Sequence, residues 1–111
     1  DNSVLVLAQV ECKGGGGSMK PTFDCSDLVF GYEPELKDVE IGDIIVFKER
    51  AVPLCDTFTG DKIIHRIEEI KQNLNNVEFK TRGDANNLSD PCLVQEGDIE
   101  LRIVSIIYNA K

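Results

Sequence analysis

Residues 77–80 read Val77-Glu78-Phe79-Lys80, an alternation of apolar and charged residues with period two. Successive side chains of a strand point to opposite faces, so this run predicts a strand with one face buried. Short runs rich in Val, Ile and Phe recur on both sides of it. They predict strands at residues 4–10, 28–32, 43–48, 62–70, 77–81 and 99–108. Turn pairs bound them: Gly42-Asp43, Gly60-Asp61, Asn75-Asn76, Gly83-Asp84 and Gly97-Asp98. No longer stretch shows a strong helical period. The expected fold is mainly β, with six or more strands in a compact sheet or partly closed barrel and little helix. Residues 49–60 and 83–97 read as two long loops, the places where function usually sits on a small β scaffold.

The 111 residues are expected to form a single domain, 1–111. Apolar residues make up 41% and charged residues 29%, which argues against wholesale disorder. Lys and Arg number 12 against 20 Asp and Glu, for a formal charge of -8. Such a chain has no general attraction to a phosphate backbone, which argues against nucleic acid as a partner. It also lacks the basic cluster that would hold it on an anionic membrane. No segment is apolar for the ~20 residues that a spanning helix needs, and residues 4–10 lack the basic flank of a signal peptide. The chain as given reads as soluble. Gly14-Gly15-Gly16-Gly17-Ser18 has the composition of an engineered flexible linker, or of a natural Gly-rich turn. On the first reading residues 1–13 are a strand of uncertain origin.

Four cysteines, Cys12, Cys25, Cys55 and Cys92, form no C-x-x-C pair, and His65 is the single histidine. That argues against a zinc site. Free thiols and any of three disulfide pairings stay open. No cofactor is implied.

Ser18 alone reads as a linker serine, stiffened three residues on by Pro21. His65 lies in Ile63-Ile64-His65-Arg66-Ile67, where alternation puts it on the face of Ile63 and Ile67. Lone histidines on such faces are more often core residues with a hydrogen-bond partner. A general base near neutral pH is nonetheless most readily a histidine, and a Ser–His mechanism here has only this one. Asp84 and Asp90, beside Gly83 and Pro91, read first as turn residues. They are also the acids available to orient a histidine. Asn87-Leu88-Ser89 fits the weak N-glycosylation pattern.

The order of the pieces adds to this. Ser18-Met19-Lys20-Pro21-Thr22-Phe23 precedes Gly42-Asp43-Ile44-Ile45-Val46-Phe47, then Ile63-Ile64-His65-Arg66-Ile67, then Lys80-Thr81-Arg82-Gly83-Asp84-Ala85-Asn86-Asn87 with Asp90. This series resembles the catalytic domain of type I signal peptidases, in the branch of archaea and the endoplasmic reticulum that has histidine where common bacterial enzymes have lysine. The likeness runs over residues 18–108. Ser-Met-x-Pro is shared with LexA-type self-cleaving repressors, which use a lysine base where this chain has His65.

The resemblance implies a signal-peptidase/LexA-like β fold and a serine endopeptidase. Ser18 would be the nucleophile and its backbone N–H an oxyanion donor. His65 would be the general base, Asp90 the acid that orients it, and Asp84 a second acid of less settled role. Met19 and Pro21 would border the substrate. The implied partners are signal peptides of preproteins, cut after a small-x-small motif, together with partner subunits. A membrane anchor outside this chain would hold the domain on the extracytoplasmic or lumenal side. Many members carry a serine where this chain has Gly16, and its hydroxyl can complete the oxyanion hole. Losing one such donor costs about 10²–10³ in rate. The alternative expectation is therefore a catalytically disabled peptide-binding scaffold.

Overall fold

The computed structural model describes residues 4–12 and 17–109. The linker reading of Gly14-Gly15-Gly16 and the oxyanion question at Gly16 fall outside the described residues. Among the described residues seven strands make one sheet: β1 (Val6–Gln9), β2 (Leu28–Tyr32), β3 (Ile44–Arg50), β4 (Phe58–Gln72), β5 (Val77–Arg82), β6 (Val94–Gln95) and β7 (Ile99–Ile107). The order across the sheet is β1-β2-β7-β3-β4-β5-β6, with every pairing antiparallel. Two 3₁₀ turns, Leu36–Asp38 and Glu96–Asp98, are the helical elements among the described residues. None of these is long and apolar enough to cross a membrane. The mainly β expectation holds, as an open sheet rather than a closed barrel.

Ile44-Ile45-Val46-Phe47 explains why β3 sits centrally, between β4 and β7. A continuous apolar run suits a strand covered on both faces. Ile45 and Phe47 enter one buried cluster with Val39, Ile67, Phe79 and Val94. Ile44 enters the other, with Met19 and Phe23. Burying a side chain such as Phe79 contributes about 1.5–3 kcal/mol. The alternation at Val77-Glu78-Phe79-Lys80 continues to Thr81, so that Phe79 and Thr81 are both buried.

β4 departs most from expectation. It starts at Phe58 and ends at Gln72, well beyond residues 62–70. Its first half pairs with β3 and its second half with β5, handing over at Arg66. The β4–β5 ladder thus begins only at Arg66. Lengthening of β3 and β4 shrinks the expected 49–60 loop to residues 51–57. The expected 83–97 loop contains the short β6 and the start of the second 3₁₀ turn, both missed in the sequence. β1 covers only Val6–Gln9 of the expected 4–10 strand, and β7 ends at Ile107.

All four cysteines are paired, as Cys12–Cys25 and Cys55–Cys92. The links span 13 and 37 residues. Each removes unfolded-state freedom, worth about 3–4 kcal/mol on a chain-entropy account.

Candidate active site

Ser18 begins a tight turn directly after Gly17, whose φ of 95° lies in the left-handed region that glycine adopts freely. Lys20 N–H donates to Gly17 O, and Thr22 and Phe23 N–H both donate to Met19 O. Met19 and Phe23 are almost fully buried and root the turn beneath β3. Ser18 O accepts the N–H of Ala85, which ties the turn to the segment after β5.

His65 sits on β4 where β5 turns away, on the face of Ile63 and Ile67 as its alternation requires. It is 8% exposed, with its ring edge-on to Phe47. Its Nε2 lies 2.9 Å from Ser18 Oγ. Its Nδ1 lies 2.6 Å from Asp90 Oδ2. A carboxylate accepts hydrogen bonds, so neutral His65 carries its proton on Nδ1 and Nε2 is left to accept from Ser18. Asp90 is held in turn by Thr81, whose Oγ1 donates to Oδ2 at 2.6 Å and whose O accepts the Asp90 N–H at 2.8 Å. Ser18, His65 and Asp90 thus form one hydrogen-bonded chain. A proton leaving Ser18 Oγ has a base within reach, and the imidazolium that forms would face a carboxylate.

Asp84 is not part of that chain. Its carboxylate receives Arg66 Nε at 2.9 Å and Arg66 Nη2 at 2.7 Å, together with the Thr22 hydroxyl. The Arg66 guanidinium holds the Asp84 carboxyl below the ordinary carboxylate range, with Thr22 assisting and partial burial opposing. Arg66 also donates to Gly42 O at 2.8 Å. Asp84 therefore joins the Ser18 turn to β4. The sequence left the role of Asp84 unsettled, and the structure places it on Arg66 and Thr22.

Gly83 and Thr81 were not among the sequence candidates. A Cβ on Gly83 would stand 2.7 Å from Ser18 O and 2.9 Å from His65 Nε2, so only glycine lets these backbones meet. The Gly83-Asp84 pair signalled a turn and not this approach. For Thr81 the available signal was its place on the buried face two residues after Phe79.

A groove of about 670 Å³ opens in front of Ser18 and His65. Met19, Val29, Val46, Ile63 and Ile64 line it, and both Cys12 and Cys25 form part of its wall. Pro21 is exposed and does not line it. Behind the histidine is a smaller space of about 250 Å³, lined by His65, Asp90, Phe47, Pro91 and Leu93. A wider depression of about 1200 Å³ between Val4, Glu33, Lys48 and Glu100 contains none of Ser18, His65 or Asp90.

The chain is similar to the signal peptidase complex catalytic subunit SEC11C of Homo sapiens and of Canis lupus familiaris. Each is 31% identical over 98 residues, covering 86% of this chain and 46% of the relative. It is also 30% identical to signal peptidase I W of Bacillus subtilis (strain 168) over 84 residues, covering 75% of this chain and 40% of that protein. The chain thus spans less than half the length of these relatives. No family model matches it, and no solved structure matches it. The likeness to SEC11C and to signal peptidase I W supports a place for this chain in the signal peptidase family.

Proposed function

We propose that the chain is a single catalytic domain, residues 1–111, of a serine endopeptidase that removes signal peptides from preproteins after a small-x-small motif. The observation that carries the reading is the hydrogen-bonded series Ser18 Oγ, His65 Nε2, His65 Nδ1 and Asp90 Oδ2. Ser18 Oγ attacks the scissile carbonyl carbon as His65 Nε2 takes its proton. The Ser18 N–H donates to the developing oxyanion. The C–N bond then breaks, and His65 returns the proton to the leaving amine. Water, deprotonated by His65, then adds to the acyl carbon, the bond to Ser18 Oγ breaks, and His65 returns the proton to Ser18 Oγ. Asp90 holds the imidazole and balances its charge.

The substrate is an extended peptide laid along residues 58–65 of β4. Support comes from the β5 pairing, which begins only at Arg66, and from the groove beside Gly60, Ile63 and Ile64. Met19 lies at the groove floor, and Pro21 shapes the turn from outside it. Histidine in place of lysine supports the archaeal and endoplasmic-reticulum branch. In the longer protein a membrane anchor and partner subunits hold the domain on the extracytoplasmic or lumenal side.

The test is mass spectrometry of a preprotein peptide carrying Ala-x-Ala, incubated in detergent with the wild type, Ser18→Ala and His65→Ala. Cleavage after the second Ala by the wild type alone is expected. Cleavage that persists in Ser18→Ala rejects the mechanism, and no cleavage by the wild type or by Gly16→Ser rejects the peptidase reading.

A further inference from the structure

Asp90 stands two residues before Cys92, whose sulfur is bonded to Cys55 in the β3–β4 loop. Between β5 and β6 no ladder pairs are made among the described residues. On one side Asp90 is held by Thr81, through the Asp90 N–H and its carboxylate. On the other side a space of about 250 Å³ is lined by His65, Asp90 and Cys92.

Ser89, next to Asp90, donates its hydroxyl to Glu68 on β4, and on the Cys92 side the disulfide supplies the hold. Cys55 is well fixed: its N–H donates to Ala51 O at 2.8 Å, and its O accepts Arg50 Nη1 at 3.1 Å. Arg50 is itself anchored to the buried Asp98 by two hydrogen bonds, at 2.7 and 3.0 Å. Cys92 Sγ also lies 3.6 Å from Arg50 O. A covalent link thus runs from a moored strand end to the residue beside Asp90.

We propose that the Cys55–Cys92 disulfide is a positioning device for the His65–Asp90 pair, keeping the Asp90 carboxylate on His65 Nδ1. Breaking it slows turnover by loosening that one contact. The turnover part rests on the peptidase reading, while the positioning part does not.

The deciding readout is the His65 Nδ1 proton, followed by NMR in protein carrying ¹⁵N-labelled histidine. The wild type shows a low-field, slowly exchanging resonance, and Asp90→Ala lacks it. In Cys55→Ser/Cys92→Ser the amide spectrum persists, and the resonance is lost or exchanges about tenfold faster or more. An unchanged resonance in that folded variant, or none in the wild type, overturns the proposal.

Where the serine variant fails to fold, dithiothreitol is titrated into the native protein. The S–S bond breaks, two thiols form, and the reagent closes to its cyclic disulfide. Alkylation and mass mapping report which disulfide is open. Loss of the resonance must track Cys55–Cys92, and tracking Cys12–Cys25 instead overturns the proposal.

In peptide cleavage, the serine variant loses about tenfold or more in kcat, with KM within about twofold. In an Asp90→Ala background the same change moves kcat by less than about twofold. Equal losses in both backgrounds overturn the positioning role. A wild type that fails to cleave counts against the peptidase reading alone, because the resonance is read without substrate.

Discussion

Thr81 and His65 share one oxygen atom: Thr81 Oγ1 and His65 Nδ1 each lie 2.6 Å from Asp90 Oδ2. One donor comes from β5 and the other from β4, so the Asp90 carboxylate bridges neighbouring strands across the point where they part. Thr81→Val keeps the side-chain volume and removes one donor. The expected cost is about 1–2 kcal/mol of stability, with peptide cleavage slowed about tenfold. Thermal melts and single-turnover cleavage check the two parts, and an unchanged rate rejects Thr81 as a support for Asp90.

Gly83→Ala tests the close approach at the turn after β5. The new Cβ would meet Ser18 O at 2.7 Å, and that atom is backbone that cannot simply rotate away. The Ser18 turn must shift relative to His65. The expected result is about 1–3 kcal/mol of lost stability and a fall of about 10² in cleavage rate. Denaturant titration beside the cleavage assay reports both, and a variant within twofold of wild-type rate rejects the packing argument.

Asp84 gives a pH signature. Arg66 lowers its carboxyl in the folded state, so folding favours the charged form. That stability is fully present above the unfolded carboxylate value of about 3.9 and is lost as pH falls through the lower folded one. Asp84→Asn should cost about 1–2 kcal/mol near pH 7, a range that allows for the partly exposed Arg66. It should also flatten the acid limb of stability against pH below about 4. Parallel acid limbs for the two proteins would reject the assignment.

Arg50→Ala removes the partner of a buried acid. Asp98 is 3% exposed and receives both Arg50 nitrogens and the Gln95 N–H. Leaving that charge unpaired costs about 3 kcal/mol or more. For a domain near this size such a loss lowers Tm by more than about 10 °C. Calorimetry on the disulfide-intact variant measures it, and a shift under a few degrees would mean that Asp98 finds water or another donor.

The strands were legible where the signal is local. Val77-Glu78-Phe79-Lys80 alternates because one face is buried, and Ile44-Ile45-Val46-Phe47 is apolar throughout because both faces are covered. The early part of β4 gave no such signal. Thr59-Gly60-Asp61 is polar, and it is strand only because β3 continues far enough to pair Arg50 with Phe58. Val94-Gln95 is too short to carry a period and is strand through its pairing with Glu78 and Phe79.

The residues that carry the resemblance were legible by kind and order: the single histidine His65, Ser18 before it, and Asp84 and Asp90 in the loop after it. Turn chemistry alone left Asp84 and Asp90 equivalent, the family resemblance expected Asp90 against the histidine, and the tertiary structure puts it there. Asp84 and Asp90 share one loop, and the loop's path puts Asp84 on Arg66 and Asp90 on His65. The cysteine pairing and the Gly83–Ser18 contact were settled in the same way. Alternation and turn chemistry act between neighbours along the chain and are written into it. A hydrogen bond across 47 residues, as between Ser18 and His65, depends on sheet register and loop path, which many distant contacts set together.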